Sequence, residues 1–258
     1  MIRLGLVRYL NARPLDFAFQ VDSPFSANVV CQPDTPARLI EQLLAGKLDA
    51  ALVSSVECLR NRSTLNYCSS VGVASDNAVQ SLLYLRRIED DLKAPVKRLY
   101  LDTGSRTTVA LVKLLYLQDF GKLPECISLD PHLIADKIDS DSAGLIIGDT
   151  ALSFFYEPRG FHFYDLVSWW RSRTGLPFVA ALWAYPKEKS SLFEAAKPNQ
   201  GLFEQALDYG LQHIEDILKE YGEVYRPYLT KALHHRLTDA DQKALTEFES
   251  LLRAKDLL

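Results

Sequence analysis

Length and composition place this chain among folded globular proteins. Its 258 residues are 48% hydrophobic and 24% charged, which predicts a sizeable core in one large or two small domains and excludes a mainly disordered chain. Lysine and arginine number 29 against 33 aspartate and glutamate residues, so the net charge is −4. A mildly acidic chain without a basic run excludes broad nucleic-acid binding, but it leaves room for a locally positive site that binds a small anion.

The N-terminal part of the chain alternates predicted strands and helices. Strands are expected at residues 3–7, 26–32 and 49–53. Between them, Pro14 favours a helix start, and Thr35 followed by Pro36 favours a second one. Strands that alternate with helices predict a parallel sheet.

A second unit of the same kind follows. Strands are predicted at residues 98–101, 127–129 and 144–147, and helices at residues 107–117, 132–138 and 150–155. Two apolar extended runs, at residues 78–86 and 178–185, would lead the chain into this unit and back out of it. The predicted division is therefore residues 1–85 plus 180–258 for one lobe and residues 86–179 for the other.

The C-terminal tail is predicted to be helical. Apolar residues from Phe203 to Tyr221 form one helical stripe, and no good strand is expected after Gly201. Thr238 and Asp241 have the spacing of a capping box, which starts a further helix. The predicted organisation is two α/β lobes joined by two extended crossings, with a helical tail.

Several functional classes lack their usual sequence signals. No apolar run near the N-terminus resembles a signal peptide, and none approaches the ~20 residues of a membrane span, so we expect a cytoplasmic protein without a membrane partner. The four cysteines and five histidines show no metal-ligand spacing, which predicts no metal site. Because glycine-rich phosphate loops are absent, we expect no nucleotide cofactor. The oligomeric state is left open.

The candidate site residues are those that follow the predicted strands, together with Ser81 in the first extended crossing. Ligands of open α/β sheets bind beyond the carboxyl ends of the strands, and the residues there are rich in hydroxyl and amide groups. The candidates are Asn11, Ser54, Ser55, Ser81, Thr103, Ser105, Arg106, Thr107, Thr108 and Asp149.

The segment 103–108 is the most informative of these candidates. It joins a strand to a helix, so the free backbone N–H groups of the helix start and the helix dipole would favour an anion. Arg106 could add a bidentate contact with a carboxylate. An ordinary helix cap explains the same Ser and Thr residues, and taken alone the segment favours that simpler interpretation.

Six short motifs occur in order along the chain. The first is VRYLNARPL at residues 7–15, and the others are GKLDAALVSSVE, VQSL, TGSRTTV, IGDTAL and TGLPFVAALW. Together they resemble the chorismate dehydratases of menaquinone biosynthesis, whose opening signature is Tyr-Leu-Asn-Thr-Arg-Pro-Leu. Arg8 stands where this family commonly has a small residue, and Ala12 stands where it has Thr. The resemblance implies a two-lobed, type II periplasmic-binding-protein-like α/β fold, which agrees with the organisation predicted above.

The resemblance also implies a reaction. A lyase of the futalosine route would remove water from chorismate, a small dicarboxylate, to give 3-(1-carboxyvinyloxy)benzoate without a cofactor. The hydroxyl leaves C4 and the proton leaves C3, and both lie on one ring face because the two ring oxygens are trans. Since aromatisation supplies much of the driving force, the protein would mainly orient the substrate and stabilise developing charge.

Roles for single residues follow from the same resemblance. Asn11 is expected near the reacting centre, where it would stabilise developing charge or the departing hydroxyl. Ser81 and residues 105–108 are expected to hold the carboxylates. A protein carboxylate beside a dianion would be repelled, so a substrate carboxylate is favoured as the base, with Asp149 as the fallback.

Two other functions remain open at this point. The same fold could serve as a small-anion binding module, such as a solute receptor or an effector-sensing domain, because fold does not fix function. The chain could also be another enzyme of the same route that acts on a different substrate. Formation of an aromatic product from chorismate separates these alternatives.

Overall fold

Two sheets with flanking helices make up the computed structural model, which describes residues 1–194 and 200–258. The first elements are β1 (Ile2–Val7), α1 (Arg13–Gln20), β2 (Val29–Asp34), α2 (Pro36–Leu44), β3 (Ala50–Ser54), α3 (Ser55–Arg60) and β4 (Leu65–Ser75). The central elements are β5 (Leu82–Arg87), β6 (Arg98–Asp102), α4 (Arg106–Phe120), β7 (Glu125–Leu129), α5 (Pro131–Lys137), β8 (Ser142–Ile147), α6 (Gly148–Tyr156), β9 (Phe161–Asp165) and α7 (Leu166–Thr174). The last elements are β10 (Phe178–Pro186), α8 (Ser190–Phe193), α9 (Leu202–Gln212), α10 (Ile214–Tyr221), β11 (His234–Arg236) and α11 (Asp239–Arg253).

The first sheet has the strand order β11-β4-β10-β3-β1-β2. Its β1 runs parallel to β2 and β3, with Leu4 opposite Cys31 on one side and Ala50 on the other. The returning strand β10 lies antiparallel between β3 and β4. The predicted parallel arrangement of the first three strands is confirmed.

The second sheet has the strand order β7-β6-β8-β5-β9. Here β6 is parallel to β7 and β8, whereas β5 is antiparallel to β8 and β9. Each sheet forms the centre of one lobe, and the C-terminal region is mostly helical. The predicted α/β fold with two lobes and a helical C-terminal region is confirmed.

The chain changes from one sheet to the other between strands. Both predicted lobe boundaries, in contrast, fall inside strands. Leu82 already pairs with Ile147 in the second sheet, although residues up to 85 were assigned to the first lobe. Phe178 already pairs with Ser75 in the first sheet, although residues up to 179 were assigned to the second. The chain passes between the sheets at residues 76–81 and 175–177, because a strand joins its sheet from its first paired residue.

Some elements differ from the sequence-based expectation. The predicted single stripe from Phe203 to Tyr221 forms two helices, α9 and α10, which meet at His213. The tail also contains β11, a three-residue edge strand that pairs with β4. Strands β4 and β9 and helix α7 were not predicted. The capping box of Thr238 and Asp241 is confirmed at the start of α11.

A glycine permits the close packing that fixes the start of α1. A Cβ at Gly210 in α9 would collide with the carbonyl oxygen of Pro14, so a larger residue would push the two helices apart. The short 3-10 turn Leu10–Ala12, which carries Asn11, leads directly into α1. Within residues 1–194 and 200–258, no helix combines the length and the apolar character needed to cross a bilayer.

Replacing Gly210 by Ala tests this close approach. Alanine in a helix interior ordinarily stabilises by about 1 kcal/mol relative to glycine, but overpacking costs about 1–3 kcal/mol. We expect G210A to lower the free energy of unfolding, measured by denaturant titration. Gln212→Ala, at the exposed end of the same helix, is the matched control. A G210A protein as stable as the wild type would contradict the packing argument.

Candidate active site

A narrow cleft lies where the carboxyl ends of strands from both sheets meet. It comprises about 400 Å³ of space, part of which opens to solvent, and about 30 Å³ of it is accessible to the centre of a water molecule. That is room for about two waters. The two lobes therefore lie close together in this form of the protein.

The cleft is lined by neutral groups. Its polar lining consists of Tyr9, Asn11, Ser54, Ser105 and Thr108. The other lining residues are aliphatic, proline or glycine, and no charged side chain is among the lining residues that the structure describes. Such a lining offers hydrogen bonds to a ligand without an ion pair.

Four of the predicted site residues meet in this cleft, namely Asn11, Ser54, Ser105 and Thr108. Ser105 caps α4: its Oγ accepts the N–H of Thr108 at 3.4 Å and lies 3.1 Å from the Thr108 hydroxyl. The Oγ of Ser54, from the other lobe, is 3.4 Å from the Oγ of Ser105. The hydroxyl groups thus form one cluster across the two lobes.

Ser55 and Thr107 lie behind the cleft and join the lobes. Both are fully buried. The Oγ1 of Thr107 accepts the backbone N–H of Val56 at 3.0 Å, and the hydroxyl of Ser55 donates to the carbonyl of Val179 at 2.7 Å. Because these contacts occupy their hydroxyl groups, Ser55 and Thr107 support the cleft from behind and do not line it.

Ser81 is also buried behind the lining. Its Oγ accepts a hydrogen bond from the hydroxyl of Tyr228 at 2.9 Å, and its carbonyl accepts the N–H of Gly148 at 2.9 Å. The residue therefore connects the chain crossing with the C-terminal tail and with the start of α6.

Thr103 and Arg106 lie outside the cleft. Thr103 is exposed, and both residues line a surface groove beside the start of α4. The guanidinium of Arg106 pairs with Glu41 at 2.7 Å and lies 3.6 Å from Glu57, two carboxylates of the other lobe. The contact with a substrate carboxylate that the sequence suggested is replaced in this closed form by ion pairs across the lobes.

Asp149 borders a different surface groove. One carboxylate oxygen accepts the N–H of Leu10 at 3.1 Å, which links α6 to the turn that carries Asn11. Desolvation of this carboxyl group raises the pKa of Asp149, and the bond from Leu10 opposes that rise. The residue as a whole is exposed and does not line the cleft.

Tyr9 follows the first predicted strand, where lining of the pocket and packing at the strand end are equally expected, and its ring closes one side of the cleft. A Cβ at Gly148 would lie 2.8 Å from Cδ1 of this ring, and a Cβ at Gly104 would collide with its hydroxyl. Gly148 also has a φ of +59°, which favours glycine. Burial, together with Asp102 and Asp149, raises the pKa of Tyr9, so the phenol stays a neutral donor.

Asp102 follows the predicted strand at residues 98–101, but the sequence assigned it no role in the site. Its buried carboxylate accepts the N–H of Gly104 at 2.7 Å and the N–H of Ile147 at 3.3 Å, which ties together the ends of β6 and β8. Burial raises the pKa of Asp102 to about 6, and the two backbone hydrogen bonds oppose the rise. The only sequence signal was its place at the end of a strand.

Comparison with known proteins identifies the family. Residues 2–254 match the family described as menaquinone biosynthesis. The chain belongs to the menaquinone biosynthesis family. A chorismate dehydratase of Thermus thermophilus is 30% identical over 200 residues, which cover 72% of this chain and 70% of that protein. A chorismate dehydratase of Campylobacter jejuni is 24% identical over 257 residues, which cover 98% of both chains. The family resemblance predicted from the motifs is confirmed.

Solved structures confirm the fold of this menaquinone biosynthesis family member. A Candida albicans protein, described as having the generic periplasmic binding protein fold, superposes with a TM-score of 0.66 over 100% of this chain and 90% of that protein. The two are 14% identical, so the likeness concerns the fold alone. The periplasmic-binding-protein-like fold implied by the motifs is confirmed.

The raised pKa of Asp102 predicts a pH-dependent contribution to stability. An aspartate in an unfolded chain titrates near 4, so the folded state binds this proton more tightly. The contribution of Asp102 is then fully present below about pH 4 and is lost as the pH rises through about 6. We expect the free energy of unfolding of the wild type, relative to Asp102→Asn, to fall over that interval by about 1.4 kcal/mol per unit of pKa difference.

Denaturant unfolding of both proteins across that pH interval measures the difference. Asp136→Asn, at an exposed position, is the matched control. A difference between wild type and D102N that stays constant with pH would contradict the assignment of the raised pKa to Asp102.

Proposed function

We propose that this protein is a chorismate dehydratase that eliminates water from chorismate to give 3-(1-carboxyvinyloxy)benzoate in the futalosine route. The match to the menaquinone biosynthesis family and the relatives named chorismate dehydratase support an enzyme of that pathway. The observation that carries the proposal is the neutral, hydrogen-bonding cleft around Asn11. In such a cleft the carboxylates of a dianionic substrate would accept hydrogen bonds and would form no ion pair with the lining residues.

The hydroxyl cluster is suited to hold a carboxylate. Ser54, Ser105 and Thr108 offer O–H donors, and Ser105 lies at the N-terminus of the 15-residue helix α4. The partial positive charge of a helix start favours an anion. In this proposal these groups replace the ion pair that Arg106 was expected to make.

The base is a carboxylate of the substrate itself. It takes the proton from C3, the electrons of that bond form the new ring double bond, and the C4–O bond breaks. The departing hydroxide receives the proton from the carboxylic acid, so one water leaves and the carboxylate is regenerated. The amide of Asn11 donates to the departing oxygen and stabilises its developing charge.

Asp149 positions this arrangement rather than acting as the base. Its carboxylate already accepts the N–H of Leu10 and does not line the cleft. A protein carboxylate nearer the reacting ring would lie beside a dianion. The dianion would raise the pKa of that carboxyl group, and the like charges would repel the substrate.

Turnover of chorismate tests the function and the role of Asn11. We expect the purified protein to form the aromatic product, and Asn11→Ala to lower kcat by about 100-fold to 1000-fold, as for loss of a donor to a developing oxyanion. The product is followed by ultraviolet absorbance and chromatography. Asn28→Ala, at an exposed position, is the matched control. Near wild-type turnover by N11A would remove Asn11 from the mechanism.

Asp149→Asn separates the two candidate bases. The variant removes the charge but keeps an oxygen that accepts the N–H of Leu10, so we expect turnover to persist at a reduced rate. Steady-state kinetics and calorimetric binding of chorismate give the result. Complete loss of turnover with unchanged chorismate binding would make Asp149 the base.

Two alternatives differ in their outcome. Saturable binding of chorismate without product would favour a small-anion binding protein, for which the closed two-lobed form is also suitable. Absence of chorismate binding would favour another enzyme of the same route. The cytoplasmic location expected from the sequence stays a prediction.

A further inference from the structure

The main chain of Asn11 is held by a histidine of the C-terminal region. The edge strand β11 places the buried side chain of His235 beneath the turn Leu10–Ala12. Its Nε2 lies 2.8 Å from the carbonyl oxygen of Asn11. Because a carbonyl oxygen only accepts, Nε2 carries the proton and donates it.

Burial keeps this imidazole neutral. Desolvation lowers the pKa of His235 to about 4, and the hydrogen bond with Asn11 opposes that change. A neutral imidazole has a single N–H group. The only donor of His235 is therefore used on the main chain of Asn11.

The turn that carries Asn11 is short. Leu10–Ala12 is a three-residue 3-10 turn without a side-chain cap, and its backbone bonds run from the N–H of Ala12 to the carbonyl of Tyr9 at 3.0 Å and from the N–H of Arg13 to the carbonyl of Leu10. Such short turns have poor hydrogen-bond geometry. The bond from His235 therefore adds a contact from a distant part of the chain that holds the main chain of Asn11.

We propose that His235 is a positioning residue for Asn11, which it holds through the main-chain carbonyl of that residue. This inference rests on the proposed function, in which the Asn11 amide meets the departing oxygen. A misplacement of about 1 Å at a reacting centre can cost about 100-fold in rate. Loss of this contact should therefore affect kcat much more than KM.

Substitution of His235 separates a positioning role from a purely structural one. His235→Leu keeps an apolar side chain but removes the donor, and we expect kcat to fall by about 100-fold with little change in KM. His235→Gln places an amide N–H near the position of Nε2, and we expect it to restore most of the rate. Failure of H235Q to recover activity, in a folded protein, would overturn the role of this hydrogen bond.

The neighbouring histidine is the matched control. His234 lies on the same strand, but its Nε2 bonds Asp241 at 3.0 Å and not Asn11. His234→Gln is therefore expected to lower the melting temperature without changing kcat. An equal loss of kcat in H234Q and H235L would show that disturbance of the strand, and not loss of the bond to Asn11, causes the effect.

Crystal structures of H235L and H235Q give a readout that does not depend on turnover. We expect Asn11 to be displaced in H235L and to return in H235Q. If the wild type does not convert chorismate, the proposed function fails, but displacement in H235L alone still supports the positioning role. An Asn11 that keeps its place in H235L would overturn that role whatever the substrate.

Discussion

The contact between Thr107 and the N–H of Val56 determines how closely the two lobes approach. Both groups lie in the first turns of helices, α4 in one lobe and α3 in the other, whose starts meet behind the cleft. Helix starts carry unpaired N–H groups and partial positive charge, so they would repel each other without an acceptor between them. The buried hydroxyl of Thr107 is that acceptor. Beside this contact Ser54 and Ser105 lie within 3.4 Å of each other, and the cleft between the lobes is narrow.

The opening motif of the chain is the second part of this junction. Its Tyr9 fits over Gly104 and Gly148 of the other lobe. A few residues later, Arg13 is buried and pairs with Asp16 at 2.8 Å, which anchors the start of α1 in its own lobe. Asn11 lies between the part of the motif that contacts the opposite lobe and the part that is fixed in the core. One short segment therefore carries both a wall of the cleft and Asn11.

Local patterns predicted the strands and helices well where neighbouring residues decide the outcome. The helix start at Pro36 and the box of Thr238 and Asp241 depend on adjacent residues, and both were found. The edge strand β11 depends on pairing with a strand more than 150 residues away, and it was missed. The same limit applies to the site, because nothing near Arg106 in the sequence shows that Glu41 of the other lobe will pair with it.

The charges around the closed cleft favour a base that arrives with the substrate. Burial raises the pKa of Asp102 behind the ends of β6 and β8, and desolvation raises the pKa of the Asp149 carboxyl group, which borders a groove outside the cleft. A bound dianion would raise both pKa values further, and either carboxylate would repel the substrate. Covalent bonds within the substrate keep its carboxylate close to C3. This carboxylate therefore acts at a high effective concentration. The protein then needs only neutral donors, and Asn11, held from outside the cleft, is the donor whose direction matters most.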